Sequence, residues 1–192
     1  FGDMITTRNW ANIWLNEGFA TFFSRLYLTK DRGDDEGDYI RLGEIRSFKR
    51  ADKNKRRPTV DFVYDEPFEL FSSHVYAKGS LILTMLRDVI GEEGFWRSIR
   101  NYTNENKLKN VETSDLKKII EMTTGQNLDW FFKQWLYEPG FPNYDVSWNY
   151  NQRKKELSIH VKQTQDLKTT SLFKMPIKII VDSGEKKEHV IW

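Results

Sequence analysis

A chain of 192 residues with 39% hydrophobic and 15% aromatic side chains has ample apolar surface for a packed core, holds one domain or one and a half, and is unlike a disordered segment. A formal net charge of +2 is too balanced to point to nucleic acid or a membrane surface, and no run approaches the length of a membrane-spanning helix. Cysteine is absent, which excludes disulfides, thiolate catalysis and a thiolate zinc site; the composition favours no compartment.

From Phe1 to about Thr7 the chain reads as an extended lead into a helix running from Trp10 to near Lys30, where apolar residues recur at 10, 13, 14, 20 and 23 with few breakers. This helix is apolar almost all the way round, the pattern of a segment inside a domain. Glu17 falls in one stripe with Trp10, Trp14 and Thr21. A carboxylate so placed must find a cation or hydrogen-bond donors, or take up a proton. Arg25 is the partner that the sequence offers for an ordinary structural ion pair. Thr21, one turn on, stands where its hydroxyl can support a ligand.

Asp31-Arg32-Gly33-Asp34-Asp35-Glu36-Gly37 is a polar break, followed by a second helix from Asp38 to about Ala51 with Tyr39, Leu42, Ile45 and Phe48 as its stripe. The basic run from Lys49 to Arg57 reads as a solvated loop rather than a phosphate-binding patch, and Lys53 to Phe68 as a loop anchored by Pro58 and Pro67. Ser72-Ser73 offers the N-cap of the next helix and Gly91 its stop. Inside it Gly79 costs ~1 kcal/mol relative to Ala, so a packing or functional reason is expected there. His74, alone near a helix start, reads as structural.

Helices follow at Phe95–Tyr102, at Asp115–Thr124 (capped by Thr113 or Ser114 and stopped by Gly125), and at Leu128–Tyr137, whose aromatic stripe reads as core. Glu138-Pro139-Gly140-Phe141-Pro142 ends the helical region. Thereafter the period is two: Tyr144, Val146, Trp148 and Tyr150 make a strand, Asn151 to Lys155 a turn, and Leu157, Ile159 and Val161 its return. Pro176 to Val181 is a third strand, Asp182-Ser183-Gly184-Glu185 a turn, and Val190-Ile191-Trp192 begins a fourth.

Two strings carry chemistry. Trp14-Leu15-Asn16-Glu17-Gly18-Phe19-Ala20, with Phe1-Gly2-Asp3 upstream, and Tyr76-Ala77-Lys78-Gly79 together resemble the M1 family of zinc aminopeptidases; Gln134-Trp135-Leu136 resembles the end of its catalytic domain. The resemblance implies that Glu17 is the third zinc ligand, after two His of an upstream His-Glu-x-x-His helix whose Glu is the general base. It implies that Tyr76 is catalytic, its phenol donating a hydrogen bond where the tetrahedral oxyanion develops. Ala77 stands where the family often has Glu.

Zn2+ is then the cofactor of the intact enzyme, and peptides losing N-terminal residues are its substrates. None of His74, His160 and His189 is spaced as His-Glu-x-x-His requires, and the family's spacing puts both His before Phe1. The chain is therefore expected to be a fragment beginning just after that motif, without stable zinc or activity of its own, and partnered by the remainder of its parent chain.

The fold implied is mostly α. Residues 1–140 would be the C-terminal helical half of a thermolysin-like catalytic domain, and residues 141–192 the first strands of an incomplete β-sandwich with an open edge and an uncovered apolar face. Neither nucleic acid nor a membrane is an expected partner. The competing class is a non-catalytic M1-like interaction scaffold, against which the presence of both Glu17 and Tyr76 argues. An epoxide-opening relative would share the same zinc site.

Overall fold

In the computed structural model, which describes residues 1–182, 184 and 186–191, the stretch after Trp10 forms a 3-10 turn (Trp10–Asn12) that runs into α1 (Trp14–Arg32). Trp14, Leu15, Phe19 and Phe22 of α1 are buried, whereas Trp10, expected in one stripe with Trp14, is 47% exposed. Ser183 and Glu185 of the predicted turn and Trp192 of the predicted last strand lie outside the described residues.

The polar break expected over 31–37 shrinks to Gly33, whose φ of 99° reverses the chain in a conformation open to glycine and strained for other residues. α2 (Asp34–Asn54) starts at the next residue, with Asp34, Asp35 and Glu36 in its first turn. Carboxylates interrupt a helix poorly when they sit at its N-terminus, where the unpaired N–H groups and the dipole favour them. Of the predicted stripe of α2 only Phe48 is buried; Tyr39, Leu42 and Ile45 are exposed, and the other inward residues are Gly37, Glu44 and Asp52.

The basic run is largely solvent-exposed, as expected, but most of it is not a loop. Residues 49–54 complete α2, and the Arg57 side chain is buried against Asp61 at 2.8 Å while donating to the Glu69 carbonyl at 2.7 Å. Neighbouring Val60 donates its N–H to the Leu136 carbonyl at 2.9 Å, so this loop is pinned to the far end of the helical region.

α3 (Ala77–Ile90) begins later than Ser72-Ser73 predicts. A turn over 73–76 intervenes, in which the Ser72 carbonyl accepts from the N–H of Val75 and of Tyr76. α4 (Glu92–Asn106) follows Gly91, and β2 (Asn110–Val111) pairs in parallel with β1 (Thr6–Thr7). The cap of α5 (Thr113–Thr124) is Glu112, not Thr113 or Ser114: its carboxylate and that of Asp115 form a reciprocal capping box. Thr113 is unavailable because its hydroxyl is bonded to Asn12 and Trp14. α6 (Asp129–Phe132) passes into a π-helical turn, Lys133–Tyr137, and Phe131, Phe132, Trp135 and Leu136 are core.

The chain divides into two compact units, Phe1–Glu138 and Pro139–Trp192. The first holds the six helices. In the second, β3 (Tyr144–Asn151) runs antiparallel to β4 (Glu156–Gln163), with Val146 opposite Val161, Trp148 opposite Ile159 and Tyr150 opposite Leu157. β5 (Ile177–Asp182) pairs with β6 (Lys186–Ile191), which starts earlier than Val190. The apolar face of the β3–β4 hairpin and residues 177–182 of β5 line a cleft of about 900 Å³.

Candidate active site

α1 and α3 cross with their backbones in contact, at Gly18 and Gly79. A Cβ on Gly18 would stand 3.0 Å from the Gly79 Cα and 3.2 Å from the Val75 carbonyl oxygen; one on Gly79 would stand 2.9 Å from the Gly18 Cα. This approach supplies the packing reason that Gly79 requires. It also brings together the two residues singled out by sequence, Glu17 and Tyr76, which are each one to three positions from the crossing and half-buried. The Tyr76 phenol has a raised pKa, first from burial, then from the charge of Glu17 and a hydrogen bond to that carboxylate; each of these disfavours the phenolate.

The structural partner that the sequence offered for Glu17 is engaged elsewhere. Arg25 is buried, paired through Nε with Glu44 at 3.2 Å and donating to Thr84 Oγ1 at 2.5 Å and Ser80 Oγ at 3.3 Å. Burial raises the Glu44 pKa and Arg25 opposes that rise, as expected of an enclosed pair. Glu17 joins no ion pair among the described residues. Thr21 does not support its carboxylate, because the hydroxyl donates to the Glu17 backbone carbonyl at 2.8 Å, the usual i−4 bond of a helical Thr. Among the described residues no three His, Cys, Asp or Glu side chains are grouped to hold a metal ion, so Glu17 stands as a single carboxylate.

The turn before α3 carries a second polar cluster. His74 is buried, with Nε2 3.4 Å from Asp52 Oδ1 and Nδ1 3.2 Å from Ser72 Oγ, and Asp52 also accepts from Arg56 Nε at 2.9 Å. These bonds tie α2 to the turn that presents Tyr76. Lys78, which sequence reasoning passed over, lies 2% exposed with no hydrogen-bond partner for Nζ, 5.3 Å above the Phe48 ring. Burial pulls its pKa down to about 8, with Asp52 acting in the opposite direction. The available signal was a lysine between Ala77 and Gly79, ahead of the apolar run from Leu81 to Leu83.

The start of α1 is fixed from a distance. Buried Asn12 accepts through Oδ1 from the Thr113 N–H at 2.9 Å and its hydroxyl at 2.6 Å, and Trp14 Nε1 donates to that hydroxyl at 2.8 Å. The Phe71 ring lies beside both Trp10 and Tyr76, with centroids 6.0 and 6.4 Å away.

Comparison with known proteins adds the following. Residues 1–135 match the peptidase family M1 domain. The chain is 32% identical over 193 aligned residues to the tricorn protease-interacting factor F2 of Thermoplasma acidophilum, covering 97% of this chain and 24% of that protein. It is 34% identical over 146 residues to a probable aminopeptidase 1 of Sulfurisphaera tokodaii, covering 74% and 19% respectively. Among solved structures it resembles Legionella pneumophila aminopeptidase A in complex with aspartic acid, with a TM-score of 0.74 and 25% identity over 99% of this chain and 21% of that one. An M1 zinc metallopeptidase from Deinococcus radiodurans matches with a TM-score of 0.61 and 25% identity, over 74% and 31%. The chain thus spans about a quarter or less of the curated relatives it matches.

Proposed function

We propose a function from one premise: this chain belongs to peptidase family M1. The protein containing it is a zinc-dependent aminopeptidase that removes N-terminal residues from peptides. Residues 1–140 are the helical half of its catalytic domain and residues 141–192 the start of a β-sandwich. What carries this reading is the meeting of Glu17 and Tyr76 from two helices, with the nearest candidate cation, Arg25, committed to Glu44.

The side chains present fit a metal. A half-buried carboxylate neutralised by no cation is an oxygen ligand in waiting, and two His with one Glu is a common open catalytic zinc set. Glu17 supplies the carboxylate; the family resemblance assigns both imidazoles and the general-base Glu to a His-Glu-x-x-His helix outside this chain. Bound there, zinc would supply polarisation of the scissile carbonyl and a lowered pKa for water. Tyr76 does what a phenol can: it is protonated at neutral pH and donates a hydrogen bond to the carbonyl oxygen as negative charge develops on it. The Asn12–Thr113 anchor and the Ser72 turn hold the two helix starts from which these side chains project. With one carboxylate and one phenol, the isolated chain holds no stable zinc and has no peptidase activity.

The test is zinc content and aminoacyl-substrate hydrolysis by a complete protein containing this chain. Glu17→Ala is expected to weaken zinc binding sharply, and Tyr76→Phe to retain zinc while kcat falls ~10²–10³-fold, the usual cost of one oxyanion donor. Zinc binding indifferent to Glu17→Ala would refute the ligand role. A complete protein without zinc would be a scaffold with the fold of a peptidase.

A further inference from the structure

We infer that Gly18 and Gly79 are positioning residues for this reaction: their backbone contact is a steric gauge that sets where Tyr76 stands relative to Glu17. The inference rests on the function proposed above and adds to it two residues that touch neither metal nor substrate.

Side chains ordinarily keep packed helix axes 8–10 Å apart. Here the contact has no side chain on either helix. Gly18 directly follows Glu17, and the carbonyl it would strike belongs to Val75, which directly precedes Tyr76. A methyl group at 18 would therefore press on the residues flanking both functional side chains. Its three nearest neighbours are all main-chain atoms, at 3.0, 3.1 and 3.2 Å, so no flexible side chain can yield. At Gly79 the nearest atom is again backbone, the Gly18 Cα at 2.9 Å, with the Trp14 ring next to it at 3.6 Å.

The helices cannot slide to relieve such a clash. α1 is held at its start by the bonds from Thr113 to Asn12, and its Trp14 indole is bonded to the same threonine. α3 is tied to α1 itself, beside the crossing, by Arg25 of α1, which donates to Ser80 and Thr84 while paired with Glu44 of α2. An alanine must therefore pry the crossing open by roughly half an ångström to one ångström, the distance from these contacts to ordinary van der Waals separation. A displacement of ~1 Å at a catalytic group can cost ~10²-fold in rate.

The experiment uses the complete zinc-loaded protein, with Gly18→Ala and Gly79→Ala made alone and combined with Tyr76→Phe. Gly43→Ala is the control, since a Cβ there meets nothing within 4 Å. Each alanine at the crossing is expected to lower kcat ~10- to 100-fold, with zinc stoichiometry and KM near wild type and Gly43→Ala unchanged. In the Tyr76→Phe background the same alanine is expected to cost under ~3-fold, because the alignment it disturbs no longer matters. Undiminished kcat, or an equal fall with and without the Tyr76 hydroxyl, overturns the inference. If Gly79→Ala, the tighter site, does not fold, Gly18→Ala decides alone. A wild-type protein that cleaves no aminoacyl substrate refutes the functional reading instead, and the inference falls with it.

Discussion

Replacing Lys78 by Met is expected to stabilise the folded chain at neutral pH, by an amount that disappears in alkali. The Lys78 ammonium is enclosed, makes no hydrogen bond, and faces the Phe48 ring. Burial lowers its pKa from 10.5 to about 8, Asp52 opposing. Between those values the unfolded chain binds the proton and the folded chain does not, so stability rises with pH across that window. Below pH 8 both states are protonated and the folded state carries the whole cost of a buried cation.

At ~1.4 kcal/mol per tenfold change in proton affinity, that cost is about 3 kcal/mol. The aromatic face returns up to ~2 kcal/mol of it. Methionine keeps the length of the stem and leaves no cavity, while Asp52 keeps His74 and Arg56 as partners. The expected gain is thus ~1–3 kcal/mol at pH 7 and close to nothing near pH 10.5. Urea unfolding of both chains at several pH values, followed by tryptophan fluorescence, measures it. A loss of stability at pH 7, or a gain equal at pH 7 and pH 10, would refute the reasoning.

Arg25→Ala leaves Glu44 buried without its cation and should cost ~3–5 kcal/mol, part of which Glu44→Gln in the same chain should restore; thermal melts of the single and double variants decide it. Asn12→Ala removes the acceptor for two donors of Thr113 and should cost ~2–3 kcal/mol, read from the same melts. Glu17→Gln, by contrast, breaks no ion pair and should change the stability of this chain by less than ~1 kcal/mol. A larger loss in urea titration would mean that the carboxylate has a structural partner after all.

The pattern of which expectations held follows from the range of the forces involved. Helices and strands were legible wherever periodicity or backbone chemistry is local: the α1 stretch, the stop at Gly91, the end of the helical region before Pro139 and the alternation from Tyr144. Ends were misjudged where a residue type has two meanings. Asp31 to Gly37 read as a break because the run is polar and punctuated by two glycines, although Asp34 to Glu36 suit the first turn of a helix. Thr113 read as a cap because threonine caps helices, although its hydroxyl is claimed by residues a hundred positions away. The stripe of α2 misled for a related reason: beside Phe48 that helix turns inward the carboxylates of Glu44 and Asp52, which pair with Arg25, Arg56 and His74, and leaves Tyr39, Leu42 and Ile45 outside.

The sequence by itself determined the helical character of the first region, the change of period after Glu138, the family to which the chain belongs, and the two residues on which its chemistry is proposed to turn. These are properties of short strings and local spacing. Tertiary structure alone decided that Arg25 pairs with Glu44 and leaves Glu17 without an ion pair among the described residues, that Lys78 is enclosed, and that Gly18 meets Gly79. Each is a contact between segments far apart in the chain, and packing selects such contacts by shape and charge that no local pattern encodes. A glycine in a helix advertises only that something comes close; what comes close is known when both helices are in place.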